Sequence, residues 1–204
     1  GSNTTASNNT AVGYQALNAN TTGTSNVAVG YQSLRSNTTA TENTAVGFNA
    51  LDATTTGANN TAIGNGALKL ATGNSNYNTA VGSKALDANT TASNNTAVGY
   101  DALTANTTGA NNVAVGYQSL DANTTASSNV AVGYGAATTN TVGDNLTALG
   151  TNALRDNLNG DSNTALGSHA LATNTTADNN TAVGGYALTA NTTGGANTAL
   201  GSLA

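Results

Sequence analysis

The chain has 204 residues, of which 6% are charged and 4% aromatic, with no Pro, Cys, Met or Trp and a formal charge of −5. The only cations, Arg35, Lys69, Lys84 and Arg155, are scattered and offer no footprint for a phosphate backbone, which excludes nucleic acid as a partner. No apolar run reaches membrane-spanning length, and without cysteine there is neither a disulfide framework nor thiolate chemistry.

Asn, Thr, Ala and Gly dominate, yet the pattern is ordered rather than disordered, because Thr and Val recur in register. Gly1-Ser2 reads as a cloning scar, and no secretory leader opens the chain. From residue 3 to 204 a single repeat domain is expected. Its glycines fall at Gly13, Gly30, Gly47, Gly64, Gly82, Gly99, Gly116, Gly133, Gly150, Gly167, Gly184 and Gly201, every spacing being 17 except one of 18. Units of this length hold short strands and turns but no helical hairpin. The expected fold is therefore all-β, a parallel β-solenoid of about twelve 17-residue coils. At about 4.8 Å per coil it forms a rod roughly 55 Å long. Both ends read as incomplete coils, as in a segment of a longer fibre.

Each unit opens on a strand such as Thr10-Ala11-Val12-Gly13, in which Thr10 and Val12 share one face and Ala11 and Gly13 the other. The Thr position becomes Val27, Val113 and Val130 elsewhere, which points that face inward. The expected core is accordingly Val12, Val29, Val46, Ile63, Val81, Val98, Val115 and Val132. The alanines of the other face, Ala11 and its equivalents, are small enough for the backbones of partner rolls to meet there. Leucine follows five residues after each valine, at Leu17, Leu34, Leu51, Leu103 and equivalents, with Ala137 breaking the series. The odd separation requires either a turn near the glycine or a second buried surface, and both readings stay open.

The motif Asn112-Val113-Ala114-Val115-Gly116-Tyr117-Gln118-Ser119-Leu120-Asp121-Ala122 resembles the YadA-like head repeats of trimeric autotransporter adhesins. The form Tyr14-Gln15-Ala16-Leu17 followed by Asn20-Thr21-Thr22-Gly23 is similar to repeat tracts of phage tail fibres that end in an endosialidase-type chaperone domain. Both resemblances imply a left-handed β-roll, a homotrimer, and an extracellular place on a cell surface or a virion. They also imply a role in presenting a binding surface to a host-cell or glycan receptor. The extra Asn-Thr-Thr stretch departs from the usual adhesin repeat.

Candidate ligand-binding residues follow from the repeat. Tyr14, Tyr31, Phe48, Tyr100, Tyr117 and Tyr134 occupy one slot after the glycine and so form a column of rings interrupted at Asn65 and Ser83. Such a column suits sugar rings or a receptor surface, though rings at that slot also serve simply to cover backbone. The irregular coil supplies Asn74 and Tyr77, on a loop suited to recognition or merely tolerated as an insertion. Stacked Asn-Thr-Thr segments, as at Asn106-Thr107-Thr108, carry a rival reading, an ice-binding solenoid; their plainer role is turn chemistry. The acids Asp52, Asp87 and Asp121 share one slot after the leucine and read as a solvated turn, without the Asp-Gly pattern of a calcium loop. His169 lacks a catalytic or ligating partner at any meaningful spacing. The expectation is a non-catalytic structural or adhesive shaft, with no cofactor and no metal.

Overall fold

The structure, a computed structural model of the chain, describes residues 4–204; the Gly1-Ser2 dipeptide lies outside the described residues. It is a parallel β-solenoid. Among the described residues, twelve strands of three residues each run from β1 (Thr10–Val12) through β6 (Thr96–Val98) and β7 (Val113–Val115) to β12 (Thr198–Leu200), and they form one sheet in sequential order. Register is uniform: Thr96 pairs Val113, Ala97 pairs Ala114 and Val98 pairs Val115, and every other neighbouring pair repeats this alignment. A one-residue slip would exchange the two faces of the sheet, so the repeat length itself holds the register.

Which face is inward differs from the expectation. The middle alanines, such as Ala28, Ala45, Ala97 and Ala114, are fully buried inside the roll. The flanking residues point outward. Val29, Val46, Val81, Val98 and Val115 are half-buried by their column neighbours, Ile63 and Val132 are 41% and 36% exposed, and Val12 at the end strand is exposed. None of the eight expected valine and isoleucine core positions is therefore a core residue, and the alanines line the interior instead of a meeting place for rolls. The physical reason is width. A 17-residue coil has a short perimeter, so the two walls of the roll stand too close for branched side chains to face each other across it, and a methyl fits where an isopropyl does not.

The leucines supply the bulk that the alanines leave room for. Leu34, Leu51, Leu86, Leu103 and Leu120 are fully buried and Leu17 nearly so, all in one cluster with the strand alanines. The chain reaches this arrangement by turning at the glycine. Gly99 has φ +140°, and a Cβ placed on it would lie 2.3 Å from the carbonyl oxygen of Gly116 in the next coil. Only glycine tolerates both the conformation and the approach. Asp101 and Leu103 then take left-handed φ values of 53° and 51°, which swing the leucine back into the interior. Of the two readings left open by the odd spacing, the turn is the one the chain adopts.

Two asparagine ladders complete the interior. One precedes the strands: the backbone N–H of Asn112 donates to Asn95 Oδ1 at 2.9 Å, and that of Asn129 donates to Asn112 Oδ1 at 3.0 Å. The other follows the leucines: Asn123 Nδ2 donates to Asn106 Oδ1 at 2.9 Å and to Ala126 O at 3.1 Å within its own turn. These side chains are fully buried. Each satisfies backbone groups that a coil with only three strand residues leaves unpaired, so the polar interior is a consequence of the small apolar one. Where one coil has Ala137 in the leucine slot, the same coil has Leu146 in the asparagine slot, fully buried, and the apolar volume lost at one position returns at the other.

Candidate functional site

The turn that follows each glycine carries every exposed ring of the described residues except Tyr77. Tyr14, Tyr31 and Phe48 stack at centroid distances of 5.3 and 5.1 Å, with interplanar angles of 18° and 7°. Tyr100, Tyr117 and Tyr134 stack at 5.5 and 5.1 Å with 13° and 6°. The centroid distances nearly equal the inter-strand spacing, so the rings lie across the fibre axis and cover one another face to face. The six expected column residues thus come together as two separate triplets. All six are exposed, the outer rings Tyr14 and Tyr134 more than the inner ones.

Between the triplets the slot holds Asn65 and then Ser83. The coils stay in register through the gap: Gly66 N–H donates to Phe48 O, Lys84 N–H to Asn65 O and Asp101 N–H to Ser83 O, at 2.9, 2.9 and 3.1 Å. Beside the rings runs a second column. Gln32 Nε2 donates to Gln15 Oε1 at 2.8 Å there, and Gly66 interrupts it. Asn49 Oδ1, on one side of Gly66, has no hydrogen-bond partner.

The acidic slot is not the solvated turn that its sequence suggests. Asp52 is only 8% exposed and takes a two-point contact from Arg35, Nε to Oδ1 at 2.9 Å and Nη2 to Oδ2 at 3.0 Å. Burial pushes its carboxyl above the ordinary range, against the pull of Arg35 and Lys69. Burial likewise raises Asp87, with Lys69 and Lys84 opposing and Asp101 adding to the rise, and it raises Asp121, with Asp101 adding again. Lys69 and Lys84, two of the chain's four cations, are therefore electrostatic neighbours of Asp52 and Asp87 across successive coils, with Asp101 beside Asp87. Sequence reasoning missed this concentration because residues 49, 52, 69, 84, 87 and 101 are contiguous only once the coils are stacked.

Asn74 and Tyr77 sit elsewhere. Both are exposed, on the turn that precedes a strand rather than the one that follows it, so they do not join the ring column. Asn74 Oδ1 accepts from Thr56 Oγ1 at 3.3 Å. His169 stacks on Tyr186 at 4.8 Å and lies within hydrogen-bond distance of Ser168 Oγ and Asn152 Nδ2. No group of three or more metal-ligating side chains forms among the described residues. The Asn-Thr-Thr stretches turn their asparagines inward, and their first threonine hydroxyls donate to the next coil, as Thr107 Oγ1 does to Thr124 O at 2.9 Å.

The remaining surface is the outward face of the sheet. Its two columns contain only Thr, Val, Ile and Leu, and no charged residue stands in any of the twelve strands. No protein-family model, curated protein sequence or solved structure matches the chain.

Proposed function

We propose that the chain is a non-catalytic shaft or head segment of an extracellular fibre, displayed on a cell or virion surface. In this reading it self-associates through its sheet face and presents the turn face to a receptor. One observation carries the reading: the roll divides into an uncharged sheet face of Thr, Val, Ile and Leu and turns that carry all of its rings and charged side chains. An apolar face extending over twelve coils is the kind of surface that soluble chains cover by association. The resemblance to trimeric adhesin and tail-fibre repeats sets the number of copies at three and the hand of the roll as left.

Adhesion is tested by incubating the fluorescently labelled chain with panels of bacterial and animal cells. Retention on one cell type is expected; no retention on any surface would overturn the adhesive reading.

A second reading, ice binding, draws on the same sheet face, whose regular hydroxyl and methyl columns form a periodic surface for water. It no longer rests on the asparagines, which are internal. Thermal hysteresis with faceted crystals would favour it over self-association; ordinary freezing would dismiss it.

A further inference from the structure

The coil of residues 60–77 holds the chain's extra residue, and the bonds that tie it to the coil before it, residues 43–59, are uneven around the roll. Along the strands nothing is lost. Thr44, Ala45 and Val46 of β3 (Thr44–Val46) pair with Thr61, Ala62 and Ile63 of β4 (Thr61–Ile63) in the common register. Asn43 Oδ1 accepts from the Asn60 backbone N–H at 2.9 Å and from Asn60 Nδ2 at 3.1 Å. Past the glycine turn, Leu51 N–H still donates to Ala67 O and Ala53 N–H to Lys69 O, both at 3.0 Å.

At the next turn the ties lapse. Elsewhere the residue after the ladder position donates its backbone N–H to its counterpart one coil on: Thr38 to Thr55 O at 3.3 Å, Thr72 to Thr90 O at 3.2 Å, Thr107 to Thr124 O at 2.8 Å. Among the described residues, every other junction keeps this bond. Thr55 N–H does not make it, and only the Thr55 hydroxyl reaches Thr72 O, at 3.1 Å. The buried asparagine ladder fails at the same place, because its slots hold Thr54 and Ala71. Asn37 Oδ1 and Thr54 Oγ1 are left without partners there, whereas in a regular pair Asn123 Nδ2 donates to Asn106 Oδ1.

We infer that the junction between residues 43–59 and 60–77 is a hinge. It stays closed along the strands, opens where Thr54-Thr55 faces Ala71-Thr72, and lets β1 to β3 separate as a unit from β4 to β12. In a stack of repeats each coil is held by its neighbours alone, so stability is a sum over junctions and the poorest one divides the cooperative units. Two buried polar atoms without partners and one missing backbone bond make this junction the poorest. The unit before it has only three strands, the smallest stack that sustains itself, and so draws much of its stability across the hinge. In a fibre segment this is the place that bends or yields first, whatever the surface binds.

The test is hydrogen–deuterium exchange of the intact chain in dilute urea, read by mass spectrometry. Hydrogen-bonded amides before the hinge, such as Leu34 N–H on Ala50 O, are expected to exchange through one shared opening. That opening is at least about tenfold more frequent than the one that exposes Leu103 N–H and Leu120 N–H, with a step at the junction. The other end of the roll is the comparison, since β10 (Thr164–Leu166) to β12 are also three strands at an end but have a regular junction behind them. Their exchange is expected to grade smoothly. The decisive variant is Thr54→Asn/Ala71→Asn with Asn74 removed, which gives the coil the regular length of 17 and the ladder the residue that other coils carry. It is expected to erase the step and leave only the fraying of an end. Asn106→Thr/Asn123→Ala transplants the break and is expected to create a second step between residues 95–111 and 112–128. A smooth gradient across the native junction, or a step that persists in the regularised variant, would overturn the hinge.

Discussion

The hydroxyl of Ser75 accepts hydrogen bonds from the side-chain amides of Asn89 at 2.8 Å and Asn78 at 2.9 Å, and it donates to Ala92 O at 3.1 Å. It stands in the one 18-residue coil, where the ladder that follows the leucines loses its asparagine. Asn37 Oδ1 and Thr54 Oγ1 are unpartnered just before it. Ser75 thus joins the two ladders across the irregular coil. Ser75→Ala is expected to destabilise the roll by about 1–3 kcal/mol by leaving buried amide donors short of an acceptor. Urea unfolding checks this; a loss no larger than that of an exposed Ser→Ala, such as Ser202→Ala, would remove Ser75 from that role.

Gly99→Ala addresses the close approach of successive coils. The new Cβ meets the Gly116 carbonyl at 2.3 Å in a backbone conformation that alanine avoids. A loss of about 3 kcal/mol or more is expected, read as a drop in thermal midpoint and in urea midpoint. Gly185→Ala, with only two atoms about 4 Å away and no left-handed φ, serves as the tolerant control.

The inward and outward positions separate in a paired substitution. Leu103→Ala removes a fully buried side chain and is expected to cost about 2–5 kcal/mol. Val115→Thr puts a hydroxyl on the outward face and is expected to change the stability of an isolated roll by no more than about 0.5 kcal/mol. The reverse ranking, measured by chemical denaturation, would return the valines to the core.

Stability should depend on pH in the direction set by Asp52, Asp87 and Asp121. Burial raises all three, so the folded state holds protons that the unfolded chain has released, and stability falls as pH rises from the ordinary carboxylate range through the folded values. Asp156, lowered by its hydrogen bonds from Arg155, acts oppositely and loses its contribution as pH falls. Three against one makes the roll more stable near the ordinary carboxylate range than at neutral pH. Thermal melts across that range check it, and Asp87→Asn with Asp121→Asn is expected to flatten the slope.

Periodicity, strand position and the parallel stack were legible in the sequence because a 17-residue repeat with strict Val and Gly positions permits little else. The same alternation left the sign of the faces undetermined: Thr10 and Val12 share a face whichever way the strand is turned. Choosing the larger side chains as core is sound for wide sandwiches and fails for a roll this narrow, where Ala97 and Leu103 fill the space and Val98 is expelled. The inward turn of the asparagines was equally hidden, since Asn20 or Asn106 in a polar turn looks the same whether it faces water or the next asparagine. The break in the ring column at Asn65 and Ser83 could be read directly. The charge cluster could not, because Lys69, Lys84, Asp87 and Asp101 become neighbours only through stacking.

The central claim is that the uncharged sheet face joins copies of the chain while the turn face stays free. Light scattering on the purified chain tests it most directly. The account expects three times the protomer mass of 19.8 kDa for the native chain and 19.8 kDa for Val98→Lys/Val115→Lys, which charges the sheet face of β6 and β7. A native chain that scatters as a monomer at 19.8 kDa, or a charged variant that keeps the native mass, would contradict it.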